Sequence, residues 1–282
     1  MKGRLFFLVV CIVLGGQQSF TQCSDAGVCS IGHQPQGKTH RISVSYLFGK
    51  SSKADDLNFH SVVVGADLHV FEDSRVSISV PYSSQSGPLG STSGFGDATV
   101  LWTQRLLNGE TSGFSIQFGV KLPLANVNAD NLPQAYQSGL GTTDGLFGLS
   151  YDLQEWSFAV GYQLSRGRSE NRVNRVRRCD DVLLRAGYAH AFDVGRIAGE
   201  VLAIKRLAQS NILTSAAGQP EMFGLLAKSN QVQVNIVGRG AYPLSNAIEV
   251  QGMLAIPMLM RDVNVDGLTR SFSLSAGLSF AF

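Results

Sequence analysis

The chain has 282 residues, 44% of them hydrophobic and only 16% charged, with 31 glycines and a formal net charge of +2. So much apolar content with so little net charge excludes an intrinsically disordered chain. The charged fraction is low against the roughly 25% of soluble domains, yet no stretch approaches the roughly 18 apolar residues of a spanning helix.

Lys2 and Arg4 open the chain, an apolar core runs from Leu5 to Leu14, and small and polar residues follow to Gln22. This is the pattern of a secretory signal peptide, residues 1–22, too short to anchor in about 30 Å of hydrocarbon. Cleavage near Thr21 or Gln22 leaves residues 23–39 as a short periplasmic segment. Cys11 departs with the signal, and export gives the remaining Cys23, Cys29 and Cys179 an oxidising setting. Cys23 and Cys29 bracket a short loop, SDAGV, and form a possible disulfide. Cys23 as a lipidated first residue is the alternative, although Gln22 is bulky where such signals want Gly or Ala. No CxxC pair or histidine cluster accompanies the cysteines, so neither a metal nor a cofactor is expected.

From residue 40 the chain alternates apolar with polar or small residues, period two, to its end. The segments are marked by Ile42–Phe48, Val62–Val70, Val76–Tyr82, Val100–Leu106, Phe114–Leu124, Phe147–Leu153, Trp156–Leu164, Val182–Tyr188, Ile197–Ala203, Val232–Tyr242, Ile248–Ile256 and Phe272–Phe282. That is about twelve strands. Their other face carries Ser, Gly, Gln and Ala rather than the Lys and Glu of a soluble sandwich. Apolar residues turned to lipid and small polar ones turned inward describe a membrane barrel, which must close on itself because lipid satisfies no backbone polar group. The expectation is therefore an all-β chain, residues 40–282 forming an antiparallel transmembrane β-barrel of outer-membrane type.

Connection lengths keep the same parity. Segments 49–57, 83–94, 125–142, 165–181, 208–230 and 259–270 are long and polar, whereas the connections near Glu72–Arg75, Asn108–Gly113, Gln154–Glu155, Asp193–Arg196 and Leu244–Ala247 are tight. Long outer loops and short periplasmic turns are the habit of outer-membrane barrels. Tyr82, Tyr151, Trp156 and Tyr242 fall near strand ends, where amphipathic rings sit at headgroup level. Phe280 and the final residue, Phe282, resemble the terminal aromatic signal that bacterial outer-membrane barrels present to their barrel-assembly machinery.

Gly94-Phe95-Gly96-Asp97 leading into ATVLWTQRLL, the hairpin onward through SGFSIQFGVKLPLA, and Gly141-Thr142-Thr143-Asp144 carry a family resemblance. The chain from about residue 40 to 282 is similar to the outer-membrane transporter family named for the meta-cleavage pathway of phenol degradation. The resemblance implies a channel or transporter passing small solutes, often apolar or aromatic.

By parity Arg41, Arg105, Lys121, Arg185, Arg206 and Arg239 face the lumen, together with Asp67, Asp97, Asp152, Glu200 and Glu249. Balanced signs point to ion-paired networks that narrow or shape a polar path, not to a basic pore for acidic sugars. One outer loop is strongly basic, with Arg166, Arg168, Arg172, Arg175, Arg177 and Arg178; in an exported protein its chemistry suits anionic lipopolysaccharide or an acidic ligand rather than nucleic acid, and a merely solvated loop is the favoured alternative.

None of His33, His40, His60, His69 and His190 stands in a His-x-Ser sequence, which argues against a lipase and against enzymatic activity generally. Asp262, Asn264, Asp266 and Gly267 are spaced like the start of a calcium loop, but Ser273 stands where the closing Glu is required, so a turn is favoured. The alternative to a channel is a structural or adhesive barrel with a closed lumen and ligand-binding outer loops.

Overall fold

A computed structural model describes residues 27–32, 39–51, 56–215, 219–263 and 269–282. In chain order its strands are β1 (Arg41–Lys50), β2 (Asn58–Phe71), β3 (Ser74–Gly87), β4 (Gly90–Phe95), β5 (Ala98–Asn108), β6 (Ser112–Leu122), β7 (Asp144–Leu153) and β8 (Trp156–Ser165). There follow β9 (Val176–Arg177), β10 (Asp181–Phe192), β11 (Gly195–Arg206), β12 (Asn211–Leu213), β13 (Phe223–Leu225), β14 (Val232–Pro243), β15 (Ile248–Leu259) and β16 (Phe272–Ala281). All but β4, β9, β12 and β13 form one antiparallel wall in which β1 pairs with β2 on one side and β16 on the other. The wall is thus a closed twelve-stranded barrel, and every period-two segment of the sequence is one of its strands.

Side-chain alternation sets which face is which. On β1, Ile42, Val44 and Tyr46 are 43%, 44% and 48% exposed, while Ser43, Ser45 and Leu47 between them are 1%, 2% and 4% exposed. The pattern repeats around the wall, with Phe147, Leu149, Tyr151, Phe158, Leu184, Val201, Ile236, Leu254 and Leu274 all turned out. Such an exterior would be intolerable in water over so large an area, and it is the exterior a bilayer requires. Among the described residues no helix is long and apolar enough to cross a membrane.

The tight connections are hairpins. The Gly109 amide donates to the Ser112 carbonyl at 2.8 Å in the Asn-Gly turn, and Gln154 takes a φ of 52° in the two-residue turn between β7 and β8. Trp156, just after that turn, packs edge-on against Tyr188 at 5.1 Å between ring centroids.

Three of the long connections contain strands that alternation does not reveal. Segment 83–94, expected as a loop, continues β3 to Gly87 and returns as β4, with Ser86 opposite Ser91. It is polar on both faces (Ser83, Ser84, Gln85, Thr92, Ser93), because a ribbon standing above the hydrocarbon has no apolar side to mark it. Segments 165–181 and 208–230 contribute β9, β12 and β13, which pair with one another as a small separate sheet.

Candidate solute path in the lumen

The lumen is organised in levels. At the outer end Asp97, between β4 and β5, accepts hydrogen bonds from the backbone amides of Leu140 and Gly141 at 3.0 and 3.1 Å. This draws segment 125–142 inward over the mouth. The glycines of the two motifs make the approach possible: a Cβ on Gly96 would meet the Ser138 carbonyl oxygen at 2.7 Å, and Gly141 holds φ at +64°. Lys121 on β6 lies 3.3 Å from both Asp97 and Asp144. Arg178 reaches Asp144 at 3.2 Å, and Gln163 donates to the same carboxylate at 2.6 Å. Arg206 grips Asp181 with two nitrogens at 3.2 and 3.3 Å, and Arg261 stands 3.9 Å from it. All seven charged side chains are at least nine-tenths buried, with four cations facing three carboxylates. Charges so removed from water persist only when paired, and each of these has an opposite charge within 4 Å.

At mid-height, part of the segment ahead of β1 enters the barrel. Residues 23–39, expected on the periplasmic side, are described at 27–32 and 39, and the first of these stretches lies inside the wall. Gly27–Ser30 forms a 3-10 turn. Arg185 donates to the Cys29 carbonyl at 2.8 Å, and the Gly32 amide donates to Gln117 Oε1 at 2.7 Å. Cys29 and Ile31 are fully buried in an apolar cluster with inward Leu101, Leu146, Leu183, Leu202 and Ile204. The reason for this location is local. β7 offers Gly148 at the inward position, where a Cβ would come within 2.3 Å of Ile31 Cγ2. Beside the turn, Glu200 lies 3.1 Å from Arg239 and 3.8 Å from Arg185. Cys29 is disulfide-bonded and Cys179 is free, whereas Cys23 lies outside the described residues.

Toward the periplasmic end Arg41 pairs with Glu249 at 3.3 Å, Ser77 donates to Asp67 at 2.5 Å, and Arg75 meets His69 at 2.7 Å. Arg105 on β5 bends toward the Leu107 carbonyl, 3.4 Å away, and Asp152 on β7 is half-buried.

The remaining wall is different in kind. β1 and β16 turn Ser43, Ser45, Ser273, Ser275 and Ser279 inward. The hydroxyls of Ser43, Ser45, Ser273 and Ser279 make no hydrogen bond within the protein.

The basic loop divides by surroundings. Arg166, Arg172 and Arg177 are exposed, Arg168 lies 3.4 Å above the Phe223 ring, and Arg175 pairs with Glu170 at 2.5 Å and with Glu221. Arg178 alone turns into the lumen. Sequence reasoning did not single out Asp144, Asp181 and Arg261 as lumen residues, although the Gly-Thr-Thr-Asp motif contains the first and the basic loop is followed directly by the second. Phe282 stacks on His40 at 5.6 Å, and Phe280 is exposed on the barrel exterior. Among the described residues no group of three or more His, Cys, Asp or Glu is arranged to hold a metal ion. The candidate calcium-loop positions 264–267 lie outside the described residues.

No family model and no curated protein matches the chain. Solved structures do. The COG4313 outer membrane channel from Pseudomonas putida F1 superposes with a TM-score of 0.63 at 11% identity, over 89% of this chain and 98% of that one. A NanC porin aligns with a TM-score of 0.47 at 10% identity, covering 85% of this chain and 100% of that one. A mutant of the TodX monoaromatic hydrocarbon channel aligns at 0.47 and 12% identity, covering 95% and 96%. At such identities the likeness is one of fold, and that fold is the closed antiparallel barrel of outer-membrane proteins.

Proposed function

We propose that the protein is an outer-membrane channel that admits small solutes along a narrow polar lumen, with residues 27–32 as its constriction. The observation that carries this reading is the asymmetry of the lumen. One side is packed with ion pairs and the inserted turn, while the other turns a row of small serines inward on β1 and β16, with the hydroxyls of Ser43, Ser45, Ser273 and Ser279 making no hydrogen bond within the protein. Buried hydroxyls of this kind are satisfied by water or by a polar solute. The structural likeness to an outer membrane channel supports the same reading. The resemblance to the family named for phenol meta-cleavage supports small, apolar or aromatic compounds as the solutes.

Liposome swelling with purified protein tests the proposal, using a graded series of sugars, amino acids and aromatic compounds. Slow entry confined to the smallest solutes, accelerated by Gly148→Val, is expected. The added side chain occupies the place of Ile31 and forces the turn out. No uptake of any solute by either protein would overturn the channel reading.

One observation favours a second reading. The sheet of β9, β12 and β13, with Arg168 stacked on Phe223, is an ordered outer platform. A closed barrel binding ligands through segments 165–181 and 208–230 would lose its function when those loops are deleted, and would be indifferent to changes at Gly148. In either case Phe280 and Phe282 serve as the terminal recognition signal for the barrel-assembly machinery.

A further inference from the structure

Three arginines from the outer connections, Arg178, Arg261 and Arg270, enter the lumen beside those carried by the strands. Among the described charged side chains that are at least nine-tenths buried, eight are cations and five are carboxylates. The surplus shows locally at mid-height, where Arg185 and Arg239 share the one carboxylate of Glu200.

Beside Arg239 the inner wall turns apolar. The register sets Arg239 opposite Met253, Met253 opposite Ser275, and Ser275 opposite Leu47. Two residues toward the outer end, Val237 stands opposite Ala255, Ala255 opposite Ser273, and Ser273 opposite Gly49. Leu47, Val237, Met253 and Ala255 form one inward apolar cluster. Arg270 stands at its far edge: a Cβ on Gly49 would meet Arg270 Cδ and Ser273 Oγ, each at 3.2 Å, and the Arg270 guanidinium lies 4.5 Å over the Phe59 ring. Buried polar atoms border the same cluster without a hydrogen-bond partner in the protein, namely the hydroxyls of Ser45 and Ser273 and the Nδ2 of Asn235, whose Oδ1 accepts from Gln233. Groups of this kind are completed by water or by an acceptor on a solute.

We propose that this part of the lumen is a binding subsite for small organic carboxylates, the carboxylate passing from Arg270 to Arg239 while the apolar body lies against Leu47 and Met253. Guanidinium groups pair with carboxylates through two parallel hydrogen bonds, and arginine-lined pores favour anions. β14 and β1 stand three strand spacings apart, about 14 Å, so the two arginines act in turn on one small anion instead of gripping it together. The site rests on the channel reading above and adds the class of solute that it takes.

Planar-bilayer recordings of the mature chain in a potassium chloride gradient, with acetate and benzoate as added carboxylates, test it. Chloride is expected to permeate about tenfold faster than potassium, and benzoate to reduce the chloride current at lower concentration than acetate does. Arg270→Gln, in a connection outside the wall, should lower the anion preference in part, and R239Q/R270Q should bring it close to unity. Met253→Asn should remove the advantage of benzoate over acetate, with heat-modifiable migration on gels confirming that each barrel is folded. Equal passage of potassium and chloride, equal potency of acetate and benzoate, or an undiminished anion preference in the folded arginine variants would overturn the proposal and leave the channel reading standing. Silence of the bilayer to both ions would overturn that reading and the subsite with it.

Discussion

The two sides of the lumen show different ways of filling a barrel. From β6 to β11 the inward positions carry Lys121, Asp144, Arg185, Glu200 and Arg206, long side chains that meet across the interior and leave no charge alone. Across from them, between Arg41 at one end and Leu47 toward the other, β1 and β16 turn mainly Ser43, Ser45, Ser273, Ser275, Gly277 and Ser279 inward, side chains too short to cross the interior. A twelve-stranded wall encloses more space than small residues can fill. The charged side and the inserted turn therefore supply much of the bulk.

This contrast can be broken at its strongest point. Lys121→Met leaves Asp97 and Asp144 facing each other without the shared ammonium, and removing one partner from a buried ion cluster costs about 3–5 kcal/mol. Urea unfolding of the barrel in detergent should show a loss of that size, and a loss below about 1 kcal/mol would mean that water already solvates the cluster.

A smaller effect should come from the serine side. Ser45→Leu crowds inward-facing Gly277 beside it, which costs about 1–3 kcal/mol where such a site is overfilled, and on the proposed path the same variant should slow solute entry into liposomes several-fold. Unchanged entry would put the path elsewhere.

The inserted turn offers a subtler probe. Arg185→Lys keeps the charge beside Glu200 but gives up the guanidinium's fixed fork, weakening its hold on the Cys29 carbonyl. Solute entry should rise about twofold to threefold, roughly the effect of losing part of one hydrogen bond of about 0.5–1.5 kcal/mol. Least of all in stability, Phe282→Ala should leave the folded barrel within about 0.5 kcal/mol, as exposed positions generally do. It should nonetheless reduce the folded fraction recovered from membranes, and an undiminished yield would remove Phe282 from the assembly signal.

The strands were legible because a bilayer imposes its own pattern. Every wall strand must show lipid an apolar residue at alternate positions, so Val62 to Val70 or Phe272 to Phe282 announces itself without any partner being known. The β3–β4 ribbon escaped because Ser84, Gln85 and Ser86 stand above the region where that rule applies. The lumen was legible only in part. Alternation puts Lys121 and Arg185 inside, but it does not say that Lys121 meets Asp144, or that Arg178 leaves a basic loop to join them. Those partnerships arise from strand register and loop closure between distant residues. The inserted turn at Gly27–Gly32 left still less trace, since its only cue is a missing side chain at Gly148, far along the chain.

The seam between β1 and β16 joins ten residue pairs, from Arg41 opposite Ala281 to Lys50 opposite Phe272. Only the last stretch of polypeptide can complete the hoop, whereas residues 27–32 stand just ahead of its first stave. The ring therefore seals around, or is afterwards entered by, a piece of its own leading end. Either way, the turn inside the bore and the first strand of the seam follow one another in the chain.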